Sequence, residues 1–396
     1  MSEKIYLDYA ATTPVDPRVL DMMLPYFTQD FGNPSSVHRY GQKAEAALDE
    51  ARATVARILN CKPSEIVFTS CGTESNNLAI RGAALDAREQ RGANQILTTR
   101  VEHTAVTKTV EQLEKYYGFQ VKWLDIDETG MVLPKTVAAA IDEKTALISV
   151  MYANNEIGTL NPVSEIAKIC GAKNVLFHTD ALQATGYFPM EVESLGIDLM
   201  SLGCHKFYGP KGVGVLYVRE GTQLISHQTG GGQEDGLRAG TQNIPYIVGF
   251  AEALRLTDME REARVSHLRP LRDRIIGTVL KEVPDAQLTG HPVERLPNHA
   301  SFAFKGVDGN TLTQLLDAAG FACSSGSACK TGNPEPSGVM TAIGLKPDWG
   351  LGSLRVTLGA HSTSMQVDSF LAALPDIVDR TRNLTRDTLS GTSKRG

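Results

Sequence analysis

No two cysteines in this chain stand in C-x-x-C spacing. The six that occur (Cys61, Cys71, Cys170, Cys204, Cys323 and Cys329) are scattered through 396 residues. That spacing excludes a zinc-ribbon or thioredoxin-type motif and reads as free thiols in a reducing compartment. G-x-x-x-x-G-K-[ST] is also absent, and no G-x-G-x-x-G follows a strand-like run, which excludes the usual nucleotide fingerprints. No apolar run approaches the length of a membrane span, and the opening Met1-Ser-Glu-Lys4 lacks a signal peptide's apolar region. A cytoplasmic protein without membrane contact is therefore expected. Basic charge is not in excess: 39 Lys and Arg face 45 Asp and Glu, for a net charge of −6. With no basic stripe, direct nucleic-acid binding is not expected. What remains is an ordinary globular composition, 42% hydrophobic and 21% charged, in a chain long enough for two domains.

The central stretch is Ser201-Leu-Gly-Cys-His-Lys-Phe-Tyr-Gly-Pro-Lys-Gly-Val-Gly214. It follows an apolar lead-in and runs into a strand-like segment. Lys206 sits there in a turn, between His205 and two aromatic residues. A partly desolvated lysine has a lowered pKa and can attack a carbonyl to form a Schiff base. The plain alternative is a phosphate-binding or solvated loop lysine.

Upstream, the pattern predicts helices over 17–27 and 41–59 and a buried strand over 65–69. Ser70-Cys-Gly-Thr-Glu-Ser-Asn-Asn77 follows, leading into a helix over 78–91. A strand, a Gly/Ser/Thr turn and a helix start form an anion site, to which Thr73 and Ser75 can add hydroxyls, or a plain N-cap. Strand 95–99 runs into Val101-Glu-His-Thr104, so His103 falls where open α/β sheets place their ligands. Further strands are predicted at 121–124, 146–151 and 175–177. The second ends in Asn154-Asn-Glu-Ile-Gly158, which offers hydrogen-bonding amides or an Asx turn. The third ends in Asp180, with Gln183 one turn later. A lysine paired with a strand-end carboxylate is what pyridoxal phosphate chemistry requires, since the acid keeps the ring nitrogen protonated.

Beyond Lys206, residues 227–243 are glycine-dense and polar, suited to approaching a phosphate or to being mobile. The charged run 258–283 reads as a helix with a solvated face that leads into a second domain. Strands at 300–304, 321–323 and 353–357 then alternate with helices. Among them lies Cys323-Ser-Ser-Gly-Ser-Ala-Cys329-Lys-Thr-Gly-Asn-Pro-Glu-Pro-Ser337. Cys61, Cys170 and Cys323 read as packing residues. Cys329, on a Gly/Ser loop beside Lys330, is a candidate reactive thiolate. Arg355 can clamp a carboxylate bidentately.

In this order, the motifs resemble those of the cysteine desulfurases over nearly the whole chain. They are Tyr6-Leu-Asp-Tyr-Ala-Ala-Thr-Thr13, Gly32-Asn-Pro-Ser-Ser36, Thr69-Ser-Cys-Gly-Thr-Glu-Ser75, Glu102-His103, Asn154-Asn-Glu-Ile-Gly158, Asp180-Ala-Leu-Gln183, His205-Lys206, residues 231–241 and Ser324-Ser-Gly-Ser-Ala-Cys329. The last loop resembles that of the scaffold-serving, longer-loop branch.

The resemblance implies an α/β protein of PLP-dependent transferase fold type I, like aspartate aminotransferase. It implies a large, mostly parallel sheet domain (15–250) and a smaller α+β domain (1–14 plus 251–396). Its cofactor would be pyridoxal 5′-phosphate and its substrate L-cysteine, converted to alanine. Lys206 would hold the cofactor and move the α-proton, Asp180 would meet the ring nitrogen, and Gln183 the phenolic oxygen. His103 would stack on the ring and help deprotonate the substrate thiol. Gly72, Thr73 and His205 would bind the phosphate, with Thr241 reaching it from the second subunit of a homodimer. Asn155 and Arg355 would take the substrate carboxylate. Cys329 would accept the sulfur as a persulfide and pass it to an acceptor such as an iron–sulfur scaffold protein; no metal ligand is implied.

One position departs from the family. Many members carry a phosphate-binding serine three residues before the lysine, where this chain has Gly203, so weaker cofactor retention is expected. Three competing readings are a PLP lyase or aminotransferase without persulfide chemistry, a PLP-fold binding partner in a sulfur-transfer complex, and a nucleotide-binding α/β protein. Cys329 speaks against the first, Lys206 and Asp180 against the second, and the missing fingerprints against the third.

Overall fold

Runs such as Ile66-Val-Phe-Thr69 and Thr145-Ala-Leu-Ile-Ser149 do not alternate in polarity, the pattern of strands covered on both faces. Every residue of both is buried. The computed structural model describes residues 4–326 and 335–392, with side chains through residue 386. Its strands are β1 (Ile5–Tyr6), β2 (Ile66–Thr69), β3 (Gln95–Thr98), β4 (Gln120–Trp123), β5 (Thr145–Ser149) and β6 (Leu176–Asp180). They continue with β7 (Leu199–Gly203), β8 (Gly214–Val218), β9 (Ala286–Leu288), β10 (His299–Phe304), β11 (Phe321–Ala322) and β12 (Ser353–Thr357).

Seven strands form one sheet in the order β2-β8-β7-β6-β5-β3-β4. Neighbours from β4 to β7 pair in parallel, while β8 runs antiparallel to both β7 and β2. The C-terminal ends of β2, β3, β5, β6 and β7 therefore share one edge, where an open α/β sheet has its ligand crevice. Helices Arg39–Leu59 and Ile244–Met259 cover one face, around Val55, Phe68, Phe177 and Phe250. Helices Gly72–Arg91 and Thr104–Tyr117 cover the other, around Leu78, Ile96 and Leu147. A third core (Phe302, Phe304, Leu312, Val356 and Phe370) lies with the antiparallel sheet β12-β10-β9. Strand β1 joins β11 in parallel, and Leu7 packs in the same core.

Several boundaries differ from expectation for local reasons. The helix over 17–27 is two helices, Pro17–Met23 and Pro25–Thr28, because Pro25 has no N–H and opens a new first turn. The helix after β2 starts at Gly72 rather than 78, with Cys71 as an extended N-cap. The run 258–283 is interrupted at Glu260, between helices Ile244–Met259 and Arg261–Glu282. Residue 250 falls inside the first of these, whose Ile247, Phe250 and Leu254 pack in the large-sheet core. Strand β9 went unpredicted; its three residues are all half-buried and show no alternation to read.

Candidate active site

The shared strand edge opens into a cavity of about 320 Å³. Each loop contributes through its position in the sheet. Gly72 and Thr73 follow β2, His103 follows β3, Met151 and Asn155 follow β5, Asp180 to Gln183 end β6, and His205 and Lys206 follow β7. Arg355 enters from β12 and the Ala10–Ala11 backbone from the N-terminal segment. Ten of the eleven residues named from sequence can be located. Nine line this cavity: Gly72, Thr73, His103, Asn155, Asp180, Gln183, His205, Lys206 and Arg355. Thr241 is exposed and does not line it. Cys329 lies outside the described residues.

Burial pushes the Lys206 amine down to about 8, helped by the Arg355 charge and opposed by Asp180 and Asp8. Its Nζ donates to the carbonyls of Ala10 (2.6 Å) and Ala11 (2.9 Å). Those bonds hold the lysine at the cavity wall without a carboxylate partner, which is the state an amine nucleophile needs. His205 is pushed down to about 4 by burial and by the charges of Lys206 and Lys211, and its Nδ1 meets Thr12 Oγ1 at 3.2 Å.

Asp180 is nearly fully buried and closes β6. One carboxylate oxygen accepts from Asn76 Nδ2 (2.7 Å), the other from the Leu182 N–H (3.1 Å). The two bonds fix the carboxylate's orientation at the strand end. Gln183 Nε2 donates to the Ala10 carbonyl at 3.0 Å, joining the same N-terminal segment that Lys206 holds.

His103 caps helix Thr104–Tyr117, its Nδ1 accepting from the Ala105 N–H at 3.1 Å. This bond places the ring proton on Nε2, the nitrogen left free. Beside it, Glu102 is buried and pushed up to about 8, chiefly by desolvation and also by the charge of Asp180. Its Oε1 accepts from the Met151 N–H (2.8 Å) and Thr99 Oγ1 (3.2 Å), tying the loop after β3 to the end of β5.

Arg355 donates from Nη2 to Asp8 Oδ1 (2.8 Å) and from Nη1 to the Asn155 carbonyl (2.9 Å). A guanidinium has five N–H donors, so others remain for a ligand. Asp8 also accepts from Ser324 Oγ at 2.7 Å, linking the start of the Cys329 loop to the arginine.

The glycine-dense segment is pinned by two largely buried ion pairs. Glu234 meets Arg52 at 2.8 Å and accepts from the Phe68 N–H, and Arg238 meets Glu74 at 2.8 Å in the first turn of helix Gly72–Arg91. Of the other cysteines, Cys170 and Cys204 are fully buried, and Cys323 packs on the small core.

Sequence reading missed Asp8, Asn76, Glu102 and Leu182. Asn76 carried a usable signal, being a small polar residue one turn into a helix that starts at a ligand-facing strand end. Asp8 carried none, because its partner is 347 positions away.

Residues 5–370 match the aminotransferase class-V family. The cysteine desulfurase IscS of Dictyoglomus turgidum is 43% identical over 385 residues, covering 97% of each chain. That of Methanosarcina thermophila is 44% identical, covering 97% of this chain and 94% of its own. The solved structure of a NifS-like protein superposes with a TM-score of 0.88 at 37% identity, covering 95% of this chain and 99% of that one. With its lysine, aspartate and helix-start turn on one sheet edge, the chain belongs to the class-V aminotransferases and, within them, to the cysteine desulfurases.

Proposed function

We propose that the residues of this cavity, together with Cys329, carry out cysteine desulfuration in the following roles, and that the sulfur leaves on Cys329. The observation that carries the reading is the pairing of a half-buried, carboxylate-free Lys206 with a fixed Asp180 in one cavity. The residues fit pyridoxal phosphate. Asp180 is fixed by two hydrogen bonds to face a ring nitrogen, Lys206 is poised for the aldehyde, and the helix start at Gly72 offers N–H groups to a phosphate. When bound, the cofactor supplies an electron sink for the carbon from which a proton is removed.

The protein's own groups do the rest. Asn155 and the free donors of Arg355 orient the carboxylate of L-cysteine, and Lys206 takes and returns the α-proton. His103 would cover the cofactor's ring, and it presents Nε2–H to the cavity. It can accept the substrate's thiol proton there only if its own proton moves to Nδ1 and the helix cap is given up. Cys329 then attacks the substrate sulfur: a sulfur–sulfur bond forms, the sulfur–Cβ bond breaks, and Cβ takes up a proton to give alanine. A thiolate suits this step because it is a soft nucleophile that can deliver the sulfur onward.

The acceptor is a sulfur-receiving protein such as an iron–sulfur scaffold, in keeping with the length of the Cys329 loop. The working unit is a homodimer, with Thr241 serving the second subunit's phosphate. Exposed apolar side chains crowd one segment, with Phe31 64% and Val37 90% accessible beside Leu24, Phe27 and Tyr40, and a second copy is their proposed cover. No helix among the described residues is long and apolar enough to cross a membrane, and the cytoplasm is the proposed location. Mass analysis of the Cys329 peptide after L-cysteine treatment without reductant tests the reading. One added sulfur atom is expected there, and an unmodified Cys329 after turnover would refute it.

A further inference from the structure

Two glycines at the anion end of the cavity face the same leucine. Gly203 is extended (φ −139°, ψ 117°), a conformation open to any residue, so its backbone does not call for glycine. Gly72 is the first residue of a helix, where glycine is a poor choice on propensity alone. What the two share is room. A Cβ on Gly203 would stand 2.9 Å from Leu182 Cδ2 and 3.1 Å from its Cγ, and a Cβ on Gly72 would overlap the same δ-carbons. The leucine side chain is thus seated in a notch made by two missing side chains, and it also lines the cavity. Its backbone is fixed as well, because the Leu182 N–H donates to Asp180 Oδ1. Gly203 stands close to the helix start, since the same Cβ on it would lie 3.6 Å from the Gly72 nitrogen.

We propose that Leu182 determines how the phosphate end of this cavity is built. By filling the space beside Gly203 it excludes a hydroxyl-bearing side chain there. The phosphate monoester is then held by the backbone N–H groups of the helix start, Thr73 and His205. Position 203 can add a hydroxyl only when residue 182 is smaller. A serine at 203 crowds the intact leucine, so Leu182 has to shift, and its N–H is the one that supports the Asp180 carboxylate. This rests on the cavity being the pyridoxal phosphate site.

The test is a double-mutant cycle on full-length apoprotein, with Gly203→Ser, Leu182→Ala and the pair. Dissociation constants are measured for pyridoxal phosphate and for phosphate-free pyridoxal, whose ratio reports the phosphate end and is not moved by a general loosening. Gly203→Ser alone is expected to weaken pyridoxal phosphate binding about ten-fold by overpacking. In the Leu182→Ala background, which only removes atoms, the same serine is expected to raise the preference for pyridoxal phosphate over pyridoxal about ten-fold, through one charge-assisted hydrogen bond. A serine effect of the same sign and size in both backgrounds would overturn the proposal, as would tighter binding by Gly203→Ser alone. Wild-type protein that binds neither compound would overturn the cofactor site itself, and the inference with it.

Discussion

Asn76 donates a 2.7 Å hydrogen bond to Asp180 across 104 positions of sequence, from the first turns of one helix to the last residue of β6. Both groups are buried. The carboxylate proposed to meet the cofactor ring is therefore aimed by a side chain outside the expected site residues. Asn76→Ala removes a buried bond to a charged acceptor, about 1.5–3 kcal/mol. Its dissociation constant for pyridoxal phosphate should rise at least ten-fold, read by absorbance titration of the apoprotein, with the fold intact by circular dichroism. Unchanged affinity would mean that Asp180 is held adequately without it.

Lys206 sets a pH dependence. Its neutral amine is the reactive form, and the group is pushed down to about 8. The rate at which apoprotein takes up pyridoxal phosphate should fall about ten-fold per unit of pH below that value and level off above it. Stopped-flow absorbance at constant ionic strength reads this directly. A profile still climbing at pH 10 would show that the lysine is as basic as one in water.

Glu102 gives the opposite kind of prediction. Its folded-state value of about 8 lies above that of an unfolded glutamate, so the folded protein holds the extra proton between the two. Its contribution is fully present at acid pH and is lost as pH rises toward about 8, because ionisation then has to occur in a buried place. Glu102→Gln keeps an acceptor for the Met151 N–H and removes the titration. Denaturation from pH 5 to 8.5 should show a shallower loss of stability in the variant. Parallel curves would contradict the assignment.

The glycine-dense segment is expected to be rigid. Glu234 has 1% side-chain exposure against Arg52, and leaving one member of such a pair buried alone costs about 3 kcal/mol or more. Arg52→Ala should lower stability by about that amount in urea unfolding. It should also weaken cofactor retention if this segment delivers Thr241 to a second subunit.

That delivery can be tested by complementation. Thr241→Ala and Lys206→Ala homodimers should each be impaired, the second completely. In a mixed dimer, one site has its own Lys206 and its partner's Thr241 intact. Refolding the two variants together should restore roughly a quarter of wild-type turnover by random pairing of a two-fold dimer. Failure to complement, with dimers shown to mix, would place Thr241 in its own subunit's site or in none.

The sequence made legible those site residues whose meaning depends on local context. Asp180 closes an apolar run, Lys206 follows one, and Thr73 sits in a strand–turn–helix, so chain order alone put them on one sheet edge. Partnerships across the fold were not legible. Asp8 with Arg355 and Asn76 with Asp180 join elements that only tertiary packing brings together. Leu182 is, in sequence, only an apolar residue between Asp180 and Gln183, because folding alone brings the two glycines against it. Helix boundaries slipped where a single residue decides them: Pro25 split one helix, and Cys71 capped another earlier than its turn-rich sequence suggested.

In the proposed mechanism, sulfur leaves L-cysteine through Cys329. Turnover of L-cysteine with a reductant should be followed for sulfide and alanine together, in wild-type and Cys329→Ala protein loaded with pyridoxal phosphate. Equal amounts of both products are expected from wild type and neither from the variant. Sulfide released by the variant at the wild-type rate would contradict it, leaving a lyase of the same fold in which Cys329 carries no sulfur.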